Sequence, residues 1–290
     1  MITIPFIDFG GSGQSLHFAH ANGYPPECYL PLLAGLSAHY GSSLRYHYHV
    51  FAMHQRPLWP DIGPDSINDW HPLTDDLFRF LDEQSPCPLI GVGHSLGGIV
   101  TLRAALRQPE RFHALVLIDP VLFPPAVIAA MRLIRALGLS YRLYPLVPGA
   151  LRRRRVFASR EVLRKGYRRK SIFRHMSDAS LEVYIEGLTR PRSDGQYELV
   201  YSPEWEARIY VTSIWHDMDL WRGLPGLKVP LLIIRGAETN TFWESTARLV
   251  KRKSPSAQVA TLEKATHLVP LERPTEVSDL IHKFISTLAL

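Results

Sequence analysis

A glycine-flanked serine turn constrains the fold of this chain more than any other feature of its 290 residues. The pentapeptide Gly93-His94-Ser95-Leu96-Gly97 follows the apolar run Leu89-Ile90-Gly91-Val92 and precedes a small-residue stretch with helical spacing. Such an abrupt change from strand to helix strains the serine backbone and points its hydroxyl out of a sheet. The start of the helix leaves the N–H of Leu96 free to bind a developing anion. The turn therefore predicts an accessible serine nucleophile on an α/β sheet.

Strand and helix patterns alternate along most of the chain. Apolar runs predict buried strands at Ile2–Phe9, Ser15–Ala19, Leu44–Met53, Pro88–Gly93, Ala114–Ile118, Val229–Ile234 and Gln258–Leu262. Helical spacing predicts helices at Glu27–His39, Asp69–Gln84, Gly97–Arg107, Phe242–Lys251 and Glu272–Leu288. This alternation predicts an α/β fold in which a mostly parallel sheet carries helices on both faces.

The alternation stops between residues 121 and 227. This region is rich in Arg, Trp and Tyr, has helical patches such as Ala126–Leu137 and Ala179–Leu188, and lacks apolar strand runs like those before it. We therefore predict a helical insertion over residues 121–227, between a first core part at 1–120 and a last core part at 228–290.

His267 follows the last predicted strand and precedes the last predicted helix. A neutral imidazole near pH 7 can accept the Ser95 proton and return it to a leaving group. With these two features, residues 1–120 and 228–290 resemble the α/β-hydrolase superfamily, and the insertion matches the cap of its esterase- and lipase-like branch in position. The segment Thr266–Pro274 is similar to the family's G-H-x-x-x-x-E-x-P pattern, with Thr266 in place of glycine. Dehalogenases and epoxide hydrolases of this branch use an aspartate nucleophile, so Ser95 argues against both.

The acid that completes such a triad is not unique in the sequence. The family usually places it after the strand that follows the cap, where this chain offers only Glu238 as a carboxylate and has Asn240 at the expected aspartate position. The other known placement is the end of the strand before the cap, which offers Asp119. We expect Asp119 to be the acid, with Glu238 and Asn240 as alternatives. Asn240 would be a neutral orienter, whether native or an Asp-to-Asn change.

The segment His20-Ala21-Asn22-Gly23-Tyr24-Pro25 is similar to the family's H-G-x-P loop, with Ala21 in place of glycine. The resemblance implies that the backbone N–H of Asn22, with its side-chain amide as a further donor, and the N–H of Leu96 form the oxyanion hole. His20 is expected to fix this loop. His94 is expected to point away from the site and to pack.

These residues predict a hydrolase that cleaves a carboxylic ester-type bond of a small, largely apolar substrate through an acyl-enzyme. The same triad supports thioester, lactone or carbon–carbon bond hydrolysis, and a catalytically weak small-ligand-binding protein is the alternative from another class. No cofactor is implied. No metal is expected, because His216-Asp217-x-Asp219 has suitable residue types without a defining spacing.

The net charge of +6 is concentrated locally. Between Leu151 and His175 there are 11 basic residues and one acidic residue, so Arg152–Lys170 is either a solvated helix face or a contact for an anionic substrate, membrane surface or partner. No motif accompanies it that would indicate nucleic-acid binding. Only Cys28 and Cys87 are present, and no transmembrane segment or signal peptide is recognisable, so a cytoplasmic location is expected.

Overall fold

The chain is described by a computed structural model over residues 3–37, 48–84, 88–144 and 146–288. Within these ranges it forms ten strands: β1 Phe6–Gly10, β2 Gln14–Ala19, β3 Tyr48–Met53, β4 Leu89–His94, β5 Phe112–Ile118, β6 Val156–Phe157, β7 Thr189–Pro191, β8 Tyr197–Leu199, β9 Leu231–Gly236 and β10 Gln258–Leu262. The same ranges hold thirteen α-helices: α1 Leu30–Ser37, α2 His71–Gln84, α3 Leu96–Arg107, α4 Pro125–Ala136, α5 Ser140–Leu143, α6 Leu146–Leu151, α7 Arg160–Arg168, α8 Asp178–Leu188, α9 Pro203–Val211, α10 Met218–Gly223, α11 Glu244–Lys253, α12 Val269–Glu272 and α13 Pro274–Ser286.

Seven strands form one sheet in the order β1-β3-β2-β4-β5-β9-β10. Only the β1–β3 pair is antiparallel, and all the other neighbours run parallel. Strand β4 lies between β2 and β5, and all six of its residues are buried. The carboxyl ends of β2, β4, β5 and β9 therefore meet at one edge of the sheet, where the chain leaves them for loops and helices.

Hydrophobic cores cover both faces of this sheet. Alternate residues of β5 enter different cores: Leu115 and Leu117 pack with α2 and α3, while Val116 and Ile118 pack with α1 and α13. A strand that is buried on both faces requires a continuous apolar run, which is the pattern that predicted these strands. The expected α/β architecture with helices on both faces is confirmed.

The strand boundaries follow proline and glycine positions. Strand β10 has the predicted bounds, whereas β9 begins at Leu231 rather than Val229, since Pro230 lacks the N–H that a paired strand position needs. Some predicted features lie outside the described residues. These are the parts of predicted strands and helices at Ile2, His39 and residues 44–47, and the thiol of Cys87. None of the helices in the described ranges is both long and apolar enough to cross a bilayer.

Residues 121–227, which we call the inserted segment, connect β5 to β9. These two strands pair directly, with Leu115 opposite Leu231 and Ile118 opposite Ile234, so the segment leaves the sheet and returns to the neighbouring position. It contains helices α4–α10. The expectation of a purely helical insertion is wrong in one respect, because β6, β8 and β7 form a small antiparallel sheet within it. These strands have only two or three residues each, too few for an alternating pattern to be recognised in the sequence.

A buried ion-pair cluster joins the inserted segment to the helix that follows Ser95. The guanidinium of Arg103 on α3 is 1% exposed and donates to Asp217 at 2.5 Å and to Asp219 at 2.8 Å. Asp217 and Asp219 of the His216-Asp217-x-Asp219 pattern are therefore engaged in ion pairs with Arg103. Removing one partner of a buried pair leaves an uncompensated charge, which is far more costly than losing an exposed pair.

Replacing Arg103 with Met should therefore lower the free energy of unfolding by about 3–5 kcal/mol. The matched control is Arg107→Met on the same helix, because Arg107 pairs with Asp75 where both side chains are about half exposed. The control should cost about 1 kcal/mol or less. Urea unfolding of the three proteins measures both changes, and equal losses for the two variants would contradict a structural role for the buried cluster.

Candidate active site

Ser95 occupies the sharp turn between β4 and α3. Its backbone lies at φ 55° and ψ −117°, a conformation that non-glycine residues rarely adopt. The turn passes very close to the β2 loop, since a Cβ on Gly97 would lie 2.0 Å from the carbonyl oxygen of Ala19. Glycine is therefore required at this crossing, and strain of this kind persists only where the surrounding structure holds it. The predicted strand–turn–helix geometry is present.

The structure brings Ser95, His267 and Asp119 into one hydrogen-bonded line. The Oγ of Ser95 lies 2.9 Å from Nε2 of His267, and Nδ1 of His267 lies 2.9 Å from Oδ1 of Asp119. A carboxylate oxygen accepts, so Nδ1–H donates to Asp119 and Nε2 is left free to accept the proton of Ser95. This tautomer is the one that general-base catalysis by His267 requires.

Asp119 is fully buried at the end of β5 and accepts two further hydrogen bonds. The backbone N–H of Gly236 donates to Oδ2 at 3.1 Å, and the hydroxyl of Thr239 donates to Oδ1 at 2.6 Å. Gly236 is the last residue of β9 and Thr239 lies in the turn that follows it, the place where the family usually carries its acid. In this chain the end of β9 and the turn after it donate hydrogen bonds to the carboxylate of Asp119 and do not supply the acid themselves. The sequence analysis missed Thr239, because only the pairing of β5 with β9 shows that it faces Asp119.

Glu238 and Asn240, the alternative orienters, are not brought to His267. Glu238 is exposed and pairs with Arg174 and with Nε2 of His175. Asn240 is also exposed; its side-chain oxygen accepts from the Thr241 hydroxyl, and its backbone carbonyl accepts from Trp243. The turn after β9 directs both side chains outward, so the contact that these alternatives require is absent.

A second carboxylate fixes the loop that carries His267. Glu272 accepts from the backbone N–H of Thr266 at 2.7 Å and from its hydroxyl at 2.8 Å. Burial raises the pKa of Glu272 above its ordinary value. Threonine at position 266, where the family pattern has glycine, thus contributes a hydroxyl to this clamp. Glu272 ends α12, and Pro274 begins the following helix α13.

Asn22 and Leu96 carry the two backbone N–H groups that are predicted to bind the oxyanion. Among the described residues, neither amide donates to another group of the protein. The loop that carries Asn22 packs against the start of α3, as the close approach of Ala19 to Gly97 shows. The side chain of Asn22 is already engaged, because Nδ2 donates to the carbonyl of Glu206 at 3.2 Å and Oδ1 accepts from Tyr201 at 2.9 Å. These two bonds anchor the Asn22 side chain to the inserted segment, and one N–H of its amide remains without a partner among the described residues.

His94 links the nucleophile turn to both neighbouring loops. Its Nε2–H donates to the carbonyl of His267 at 2.8 Å, and its Nδ1 accepts from the Tyr29 hydroxyl at 2.8 Å. That hydroxyl in turn accepts from the N–H of Ala21 at 3.3 Å. His94 is fully buried and packs against Tyr29 and His267, as expected, and its hydrogen bonds also tie the Asn22 loop to the backbone of His267. His20 fixes its own loop as expected, by donating to the carbonyl of Ala21 and accepting from the N–H of Gln55.

Comparisons with known proteins identify the family of this chain. The sequence model of the alpha/beta hydrolase family matches residues 18–280. The chain belongs to the alpha/beta hydrolase family. It is therefore a hydrolase enzyme of that family, and the sequence resemblance is confirmed.

Individual relatives of this alpha/beta hydrolase are distant. A type I acyl-CoA thioesterase of Penicillium roqueforti (strain FM164) is 34% identical over 120 residues, which cover 38% of this chain and 27% of the thioesterase. A bifunctional epoxide hydrolase 2 of Mus musculus is 21% identical over 99% of this chain and 54% of its own length. The chain thus spans about half or less of these relatives. The crystal structure of E-2-(acetamidomethylene)succinate hydrolase has a TM-score of 0.77 at 20% identity, over 98% of this chain and 96% of that one.

One group of side chains in the hydrolase has metal-ligand chemistry. Among the described residues, Asp69, His71 and His216 bring their ligand atoms within 4.8 Å of one another. The two imidazoles contact the carboxylate of Asp69 at 3.0 Å each, and His71 also contacts Asp219. The carboxylate and imidazole groups therefore satisfy one another by hydrogen bonds. The group is separate from the line of Ser95, His267 and Asp119.

Buried neutral histidines should make the hydrolase sensitive to acid. Burial lowers the pKa of His17 to about 3 and that of His20 to about 4, and it lowers the pKa of His94 well below the model-compound value of 6.5. Between about pH 4 and 6.5 the unfolded chain therefore binds more protons than the folded one, so stability falls as the pH is lowered. Each such histidine contributes up to about 1.4 kcal/mol per pH unit.

Urea unfolding at pH 7.5, 6.0 and 5.0 measures this slope. We expect His17→Gln to flatten it by the contribution of one histidine. A wild-type free energy of unfolding that stays constant over this interval would contradict the assignment of neutral buried imidazoles.

Proposed function

We propose that this protein is a serine hydrolase that cleaves a carboxylic ester-type bond of a small, largely apolar substrate through an acyl-enzyme. One observation carries the proposal: Ser95, His267 and Asp119 form an unbroken line with two contacts of 2.9 Å. The nucleophile is a serine, which distinguishes this chain from epoxide hydrolases of the superfamily that use an aspartate nucleophile. The thioesterase among its relatives is consistent with acyl transfer to water.

In the first half-reaction, the Oγ of Ser95 attacks the carbonyl carbon while Nε2 of His267 accepts its proton. Asp119 stabilises the imidazolium through Nδ1–H. The carbonyl oxygen becomes an oxyanion, and the free N–H groups of Asn22 and Leu96 are its donors. Collapse of the tetrahedral intermediate breaks the bond to the leaving group, which receives the proton from His267 and leaves an acyl group on Ser95.

In the second half-reaction, water replaces the leaving group. His267 accepts a proton from the water as the water attacks the acyl carbon, and it then returns the proton to the Oγ of Ser95 as the acid product departs. Each step uses the same three side chains and the same two backbone donors. A fixed oxyanion donor contributes about 3 kcal/mol to such a transition state, so the position of the Asn22 loop is as important as that of the triad.

The inserted segment acts in this proposal as a cap that positions the Asn22 loop. Tyr201 and the carbonyl of Glu206 hold the Asn22 side chain from the side of the insertion. Trp205 and Trp221 are buried in the core, with their indole N–H groups bonded to the carbonyls of Ile62 and Phe123. Trp205 therefore ties the segment to the Ile62 loop of the sheet domain, whereas the bond between Trp221 and Phe123 lies within the inserted segment.

Hydrolysis of p-nitrophenyl esters from acetate to palmitate tests the proposal. We expect turnover by the wild type, loss of turnover in Ser95→Ala, and a kcat lower by about 10⁴-fold in Asp119→Asn, because the amide favours the wrong imidazole tautomer. The matched controls are Glu238→Gln and Asn240→Ala, which should stay within about twofold because neither residue contacts His267. Turnover that survives in Ser95→Ala, or none in the wild type, would contradict a serine esterase.

A further inference from the structure

A cavity of about 610 Å³ opens in the inserted segment beside the Asn22 loop. Its apolar walls are largely aromatic, with Tyr24 contributed by the loop and Tyr167 and Tyr184 by helices α7 and α8. The basic run that dominates the charge of the sequence forms much of the remaining wall. Four basic residues of the Arg152–Lys170 run line it: Arg153 is half-buried, and Arg152, Arg154 and Lys170 are exposed.

The charges of this cavity are not balanced. Its lining includes Arg152, Arg153, Arg154 and Lys170 but only one carboxylate, that of Glu206. Glu206 is already taken by Arg153, with Nη1 and Oε2 separated by 2.6 Å. In the described ranges Arg152, Arg154 and Lys170 pair with no carboxylate, although many other arginines of the chain do. Three cationic side chains are thus available to an anion.

Neutral donors accompany these cations. The hydroxyls of Tyr24, Tyr184 and Tyr210 have no hydrogen-bond partner among the described residues, and burial raises the pKa of each. They therefore remain protonated and able to donate. The hydroxyl of Tyr167, in contrast, accepts from Arg153 and fixes that guanidinium against the wall. Phenol donors and guanidinium groups over aromatic surface match an anion that is attached to an apolar body.

The cavity adjoins the proposed oxyanion donor. A Cβ on Gly23 would lie 3.5 Å from the carboxyl carbon of Glu206 and 3.7 Å from Nη1 of Arg153, so the charged wall touches the loop. Tyr24, which lines the cavity, is two residues beyond Asn22, a separation of at most about 8 Å along the backbone. Ser95, Asn22 and His267 do not themselves line the cavity, so a substrate that occupies both places needs a spacer between its carbonyl and its charged end.

We propose that the cavity binds the anionic end of the substrate, a carboxylate or phosphate joined to the scissile ester by a short apolar spacer. This inference rests on the proposed function for the scissile bond, whereas anion binding in the cavity does not depend on it. The specificity residues are Arg154 and Lys170, together with Arg152 and the three free hydroxyls. The substrate is then amphiphilic rather than purely apolar.

Two p-nitrophenyl esters of equal chain length test the specificity. The mono-p-nitrophenyl ester of adipic acid ends in a carboxylate, and p-nitrophenyl hexanoate ends in a methyl group. We expect wild-type kcat/KM to favour the adipate ester, and we expect the double variant Arg154→Gln/Lys170→Met to lower that preference by about 10-fold, mainly through KM. Arg169→Gln is the control, since Arg169 is exposed like Arg154 and Lys170 but does not line the cavity. An equal preference in the wild type, or one unchanged by the double variant, would overturn the inference.

Binding of an unreactive anion separates the two proposals. Hexylphosphonate has an apolar chain and a charged end but no bond to hydrolyse, and calorimetry with the wild type and the double variant measures its affinity. We expect binding that weakens about 10-fold in the double variant and is retained in Arg169→Gln. If no ester is hydrolysed but this pattern appears, the proposed function fails and the anion site stands. Equal affinity in all three proteins, or no binding, would overturn the anion site whatever the esters show.

Discussion

The hydrogen bond between buried Asp119 and His267 is the interaction on which the site depends. Asp119 is completely enclosed, so its carboxylate is tolerable only because His267, Thr239 and the Gly236 amide all donate to it. These donors come from the end of β9, the turn after it and the loop after β10, and the carboxylate itself ends β5. The pairing of β5 with β9 and of β9 with β10 therefore positions the base. Ser95 lies in the strained turn after β4, and this turn places its Oγ within hydrogen-bond distance of Nε2 of His267.

A second hydrogen-bond network connects the Asn22 loop to the residues Ser95 and His267. His94 lies next to Ser95 in sequence and bonds to the carbonyl of His267, while Tyr29 connects it to Ala21 on the oxyanion loop. From the other side, the inserted segment holds Asn22 through Tyr201 and Glu206. Glu206 also fixes Arg153 in the basic cavity. The Asn22 loop is thus clamped between the sheet and the insertion, and the cavity lies on the insertion side of that loop.

The sequence is informative where local pattern alone determines structure. Apolar runs, a strand-to-helix turn and a histidine before the last helix predict the sheet, Ser95 and His267, because each depends on neighbours along the chain. The choice of Asp119 over Glu238 and Asn240 depends on the direction of one turn, and Thr239 meets Asp119 across 120 residues. The role of His94 rests on a contact with residue 267, 173 positions away. The insertion was predictable only in outline, since its short strands and its cavity arise from packing among segments without a repeating pattern.

The state of the His267 ring tests the central claim most directly. Nitrogen-15 NMR of histidine-labelled protein, with His267 assigned by its loss in His267→Gln, reports which ring nitrogen carries the proton. The structure predicts the Nδ1–H tautomer, with a strongly hydrogen-bonded proton that persists in Glu238→Gln and disappears in Asp119→Ala. An Nε2–H tautomer in the wild type, or an Nδ1 proton that is unaffected when Asp119 is replaced, would contradict the account.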